Sequence, residues 1–107
     1  MLLAWTTVDD PEIAEQLAFE AVVEQQAVCA QVDITPIVSV FGWEGETRTV
    51  REYRILFKCL PAQAEALERW VLAHHPYEVP EWIVVRAEHV GEKYLSWAGT
   101  TSSTRPL

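Results

Sequence analysis

Two extended runs meet at a two-residue turn in the middle of this 107-residue chain, and few folds accommodate them. Gln31 to Trp43 is rich in Val, Ile, Thr and Phe. Thr47 to Cys59 alternates, with Tyr53, Ile55, Phe57 and Cys59 on one face and Glu52, Arg54 and Lys58 on the other. Glu44-Gly45 between them reads as a hairpin turn in which Gly45 supplies a positive φ. Each run is about a dozen residues, roughly twice the usual strand. Pro36 removes a ladder donor, so the first run is expected to lie at an edge or to bulge there. With a two-residue turn, Trp43 faces Glu46 and Cys59 faces Ala30, leaving Cys29 on the other side. A bulge at Pro36 would invert this.

The flanking segments complete a pattern. Leu2 to Val8 is short and apolar and ends at Asp-Asp-Pro, which reads as a buried strand. Asp10 caps a following helix with Pro11 at its first position. Ala14, Leu17, Ala18 and Ala21 share a face of that helix, while Phe19 and Val23 point away from it. Pro61 opens a second helix, with Ala64, Leu67, Trp70, Val71 and His74 on its apolar face. Pro76 forces the preceding residue out of helical geometry, so this helix stops near His75. Trp82 to Ala87 reads as a fourth strand, and Gly91 precedes a last helix carrying Tyr94, Leu95 and Trp97. The order is βαββαβ plus a C-terminal helix, an α+β, ferredoxin-like split βαβ arrangement with a four-stranded antiparallel sheet. Residues 1–107 form a single domain, with 100–107 a polar tail expected to fray. The sheet face without helices carries large apolar candidates among Trp5, Val38, Val40, Trp82 and Val84. With the overlong hairpin, that predicts a sheet extended between subunits of a homo-oligomer.

Charge and composition narrow the function. Sixteen acids stand against eight Lys and Arg, a net charge of -8. Such a chain repels phosphate backbones and anionic lipid, which argues against nucleic acid and membrane surfaces as partners. No segment approaches the ~20 apolar residues of a membrane span, and no basic region precedes the N-terminal apolar stretch as in a signal peptide. Cys29 and Cys59 lack CxxC spacing and are read as reduced thiols, so a cytoplasmic location is expected.

The polar residues concentrate at His75-Pro76-Tyr77-Glu78-Val79-Pro80-Glu81-Trp82, between the second helix and the last strand. His74 and His75 diverge by about 100° on a helix and cannot chelate one ion together. His74 falls on the apolar face and reads as a satisfied core residue. His75 falls at the helix end, where it either turns toward the junction or bonds terminal carbonyls. Tyr77, Glu78 and Glu81 cluster beside it. Carboxylates near an imidazole bind a cation, shift a histidine pKa or move a proton, while the same loop also reads as a stiff turn with solvated acids. There is no GxGxxG, P-loop or nucleophile elbow, and no nucleophile accompanies an acid or base, so an enzyme is not expected.

This junction, followed by Glu92-Lys93-Tyr94-Leu95 and Trp97, closely resembles the CutA divalent-cation-tolerance proteins. Trp43-Glu44-Gly45 and Lys58 fit the same pattern, and the likeness runs in order along nearly the whole chain. The resemblance implies a ferredoxin-like homotrimer, similar to the PII-type signalling trimers with their clefts between subunits. It further implies a cleft lined by Lys58, His75, Tyr77, Glu78, Glu81, Lys93 and Tyr94. His75 and Glu81 are then the metal-binding pair, with copper or zinc as the metal. Lys58 and Lys93 would hold carboxylates or an anionic ligand. The chain departs from the family pattern at Gln31 and Trp5, where relatives carry cysteines. It departs again at Gly42, where a tryptophan is common, and at Arg86, where a proline is. Loss of both cysteines removes the soft ligands that favour copper(I). The expected function is therefore a non-enzymatic trimer of divalent metal tolerance that binds a metal ion or small ligand between subunits. The alternative is a PII-like signalling or scaffold trimer acting through a protein partner.

Overall fold

The computed structural model describes residues 1–24 and 26–100. Five strands and three α-helices follow one another in the order β1 (Leu2–Val8), α1 (Pro11–Val23), β2 (Cys29–Val32), β3 (Ile37–Trp43), β4 (Glu46–Cys59), α2 (Ala64–His74), β5 (Ile83–Arg86) and α3 (Glu92–Ala98). The strands form one antiparallel sheet in the order β2-β4-β1-β5, with β3 also paired to β4. The expected ferredoxin-like arrangement is present, with one change. The first hairpin run is broken into β2 and β3, so the sheet has five strands instead of four.

Pro36 and its neighbours cause that break. Val32 faces Ile55 and Ile37 faces Glu52, so residues 33–36 stand opposite only Tyr53 and Arg54. Asp33 fastens the break twice. Its N–H donates to the Arg54 carbonyl at 3.0 Å, and its carboxylate accepts from Arg54 Nε at 2.9 Å. An excess of two residues preserves the facing of side chains, since strand parity has period two. It moves the partners, however. Ala30 faces Phe57, not Cys59; Cys29 faces Lys58; and Cys59 faces Leu2. The two thiols still lie on opposite faces and are free.

Local chemistry accounts for the other boundaries. Asp10 Oδ1 accepts from the Glu12 and Ile13 amides at 2.8 and 3.4 Å, with Pro11 at the first helical position. Pro61–Gln63 forms a 3₁₀ turn before α2, closed by Gln63 Oε1 accepting from the Leu60 amide at 2.8 Å. His75 leaves α2 with ψ 136°, as Pro76 requires. At the hairpin turn Trp43 faces Glu46, and both turn residues have positive φ, Glu44 at 51° and Gly45 at 79°. This is the double positive φ of the I′ hairpin turn, with a glutamate where Asn or Gly is usual.

Both α1 and α2 lie on one sheet face. Ala14, Leu17, Ala18 and Ala21 of α1 and Leu67 and Val71 of α2 pack onto Leu2, Ala4, Val8, Ile55, Phe57 and Cys59. Trp82 joins this cluster, its ring 6.0 Å from that of Phe57, so it belongs to the core side and not to the open face. Of the other open-face candidates, only Trp5, half-buried opposite Leu56, lies on the face away from Phe57. Val84 pairs with Ala4, and Val38 and Val40 pair with Arg51 and Thr49, which alternate in step with Tyr53 and Ile55. These three therefore share the helix-side face and are exposed because no helix of this chain covers them there. His74 is also displaced from its expected place. It lies exposed in the last turn of α2, stacked 4.3 Å from Trp70, with Nδ1–H donating to the Trp70 carbonyl at 2.7 Å. The buried histidine is its neighbour.

β4 is the longest element, and only half of it belongs to the layered body. Residues 53–59 pair with β1, and residues 55–58 also pair with β2. Residues 46–52 pair with β3 alone and project from the body, stretching the molecule to 46 × 26 × 24 Å. The stem of this projection sits beside the His75–Glu81 junction.

Candidate functional site

The junction is held by His75, which is 9% exposed. Nε2 lies 3.0 Å from the Thr7 carbonyl, and Nδ1 lies 3.1 Å from the Tyr77 amide. A carbonyl only accepts and an amide only donates, so these partners fix the neutral tautomer with its proton on Nε2. Burial pushes the His75 pKa below its ordinary value, against the opposing pull of the Thr7 carbonyl and the charges of Glu52 and Asp9. The imidazole therefore clips the loop to the end of β1. The Tyr77 ring meets it nearly edge-on at 4.8 Å.

Tyr77 carries the contact onward to the hairpin. Its hydroxyl donates to Glu52 Oε2 at 2.7 Å, a short bond to a carboxylate that is 6% exposed. Burial, reinforced by the hydrogen bond to Glu52, raises the phenol pKa far above the ordinary range. Tyr77 thus remains a donor at any physiological pH.

Around this pair lies a cleft of about 310 Å³ at the root of the projecting hairpin. Asp9, Glu52 and Glu78 supply its acids, and Arg48 its one guanidinium. Phe41, Trp43, Val50 and Val79 supply apolar walls. The β1–α1 corner, both hairpin strands and the junction loop each contribute a side.

The residues singled out in the sequence divide between separate places. Tyr77 and Glu78 line this cleft, and His75 supports it from behind. Glu81 is exposed and does not line it. Lys58 lies six residues along β4 from Glu52, about 20 Å at strand spacing. Its ammonium sits 5.3 Å from the centre of the Tyr94 ring, and Tyr94 packs against Trp97. Lys93 is exposed on α3. Neither lysine lines the cleft with the acids. Nor does one chain present a finished metal site. Both ring nitrogens of His75 are engaged, and among the described residues no three His, Cys, Asp or Glu side chains are grouped to hold an ion.

Asp9, Arg48 and Glu52 are missing from the sequence-derived set. Glu52 reads there as one of several charged residues on the outer face of a strand. Only the fold brings it to Tyr77, 25 positions away.

The CutA1 divalent ion tolerance protein family matches residues 2–101 of this chain. The chain belongs to the CutA1 family. The divalent-cation tolerance protein CutA of Escherichia coli strain E24377A is 33% identical over 91 residues, covering 85% of this chain and 80% of its own length. Among solved structures, CutA from Synechococcus elongatus PCC7942 superposes with a TM-score of 0.88 at 33% identity, covering 95% of this chain and 89% of that one. CutA1 from Pyrococcus horikoshii gives 0.88 at 27% identity, covering 97% and 100%. The CutA likeness extends over the hairpin, the junction and α3, and so over the cleft and the Lys58–Tyr94 contact together. No helix among the described residues is long and apolar enough to cross a membrane.

Proposed function

We propose that this CutA1-family protein acts in divalent metal tolerance as a cytoplasmic, non-enzymatic homotrimer that takes a metal ion or small ligand at clefts between subunits. The projecting half of the hairpin carries the reading. Val38 and Val40 are 59% and 66% exposed there, and residues 46–52 of β4 have one strand edge with no partner among the described residues. Exposed apolar strands with open edges are a hazard that assembly removes. Ile83, Val84 and Val85 of β5 are exposed as well, so a neighbouring subunit has apolar surface to cover at both sites.

Assembly also bears on the metal. Copper or zinc binding through His75 and Glu81 requires His75 to give up one backbone hydrogen bond, about 1 kcal/mol. It also requires further ligands from a second subunit. Light scattering over a range of concentrations tests the trimer. Calorimetric titration of the parent, His75→Ala and Glu81→Ala with copper and zinc tests the pair. Unchanged binding in both variants would remove it.

A second reading, a PII-like scaffold acting through a protein partner, is favoured by a different surface. Phe19 and Val23 are 72% and 61% exposed, beside a groove of about 350 Å³ between α1 and β2. A partner retained by His75→Ala and lost by Phe19→Ala would support it.

A further inference from the structure

The cleft at the hairpin root is lined, within one chain, by the β1–α1 corner, both hairpin strands and the junction loop. Its least expected component is Glu52. A carboxylate withdrawn from water needs a counter-charge or several donors. Among the described residues Glu52 receives one hydrogen bond, from the Tyr77 hydroxyl to Oε2. The ion pairs among those residues are Arg48 with Glu46 at 3.8 Å and Arg54 with Asp33 at 2.9 Å, and neither includes Glu52. The carboxylate lines the cleft, where Asp9 and Glu78 add to its charge and Arg48 alone opposes it.

The walls decide between kinds of cation. A bare divalent ion replaces its water with several converging oxygens, and no such grouping of three ligands is present among the described residues. Phe41, Trp43, Val50 and Val79 offer instead an apolar lining, and an indole face attracts an organic cation more strongly than other side-chain rings do. A volume of about 310 Å³ falls at the small end of ligand pockets. An anionic ligand would meet three carboxylates.

We propose that this cleft binds a small organic ammonium with an apolar body, its charge set against Glu52 and its body against Trp43. Arg48 weakens that binding, because its guanidinium lines the same space with the same sign of charge as the ligand.

The test is calorimetry on the whole protein in its own assembly state, with phenethylamine and the neutral 2-phenylethanol as matched probes at pH 7.5. The amine is expected to bind at least about tenfold more tightly than the alcohol. Glu52→Gln is expected to weaken the amine by about tenfold or more, and Arg48→Gln to tighten it severalfold. Trp43→Leu, which leaves the Glu52–Tyr77 bond alone, is expected to weaken both probes and serves if Glu52→Gln does not fold. Equal affinity for amine and alcohol, undiminished amine binding by Glu52→Gln, or no saturable amine binding overturns the proposal. The last outcome includes an assembly in which a partner's basic side chain already meets Glu52. Copper and zinc chlorides titrated into the same samples separate this inference from the metal reading. Amine binding without binding of either metal upholds it and removes the other, and metal binding without amine binding does the reverse.

Discussion

Residues 53–59 and 46–52 continue one strand, β4, through two different environments. In the first half Ile55, Phe57 and Cys59 are buried under two helices, with β1 along one edge and β2 along most of the other. In the second half no helix covers either face, β3 is the one paired strand, and every residue from Glu46 to Thr49 is exposed. The same β-rich composition thus gives a core in one half and an unsatisfied surface in the other. Alternation makes a strand; a second layer makes it stable. The first half obtains that layer from its own chain, and the second must find it elsewhere. The candidate cleft lies where the two meet, with Glu52 as the last residue before the body begins.

The comparison can be broken in graded steps. Phe57→Ala empties the centre of the body and is expected to cost about 3–5 kcal/mol, read from urea unfolding. A loss as small as that of an exposed residue would mean that the two halves do not differ as described. At the boundary, Tyr77→Phe removes the hydroxyl that donates to Glu52 and is expected to cost about 1–3 kcal/mol. No loss would show that other donors already serve the carboxylate.

The pH dependence of the junction comes next. The His75 pKa is lowered in the fold from its ordinary 6.5, so the unfolded chain takes up the proton first as pH falls. Its contribution is complete above pH 6.5 and is lost as pH drops toward the folded value, with a slope of at most about 1.4 kcal/mol per pH unit. Protonation also places a hydrogen on Nδ1, against the Tyr77 amide. Urea midpoints from pH 7.5 to 5 should fall in the parent and stay flatter in His75→Gln; parallel curves would refute the assignment. The smallest effect is expected at the far tip. Glu44 holds φ 51°, which a residue with a Cβ adopts unwillingly, so Glu44→Asn should raise stability by up to about 1 kcal/mol. A decrease there would mean that the Glu44 side chain has a role of its own.

Much of the fold was legible because its signals are local. Asp10-Pro11 marks a helix start, Glu44-Gly45 a tight turn and His75-Pro76 a helix end, each through backbone chemistry within a few residues. The break after Val32 was only half legible. Pro36 announces a defect, but whether it inserts one residue or two depends on how Asp33 and Arg54 meet, 21 positions apart. The histidines show the same limit. Helical spacing assigns His74 to the core, yet the last turn of α2 leaves it exposed, while His75 turns inward to Thr7, 68 residues away. The site was legible as a family marker and not as a geometry. Tyr77 and Glu78 line the cleft, whereas Lys58 and Tyr94 stand together far along β4. The polar tail lies on 101–107, outside the described residues, apart from Thr100, whose amide and hydroxyl donate to the Trp97 and Ser96 carbonyls.

The contrast between the two halves of β4 rests most directly on how many chains assemble. Sedimentation equilibrium of the parent and of Val40→Lys measures it. The parent should have three times the mass of one chain. Val40→Lys, with a charge placed on the exposed half, should lose that assembly while keeping the far-ultraviolet circular dichroism of a folded body. A parent that sediments as one chain at every concentration would contradict the account.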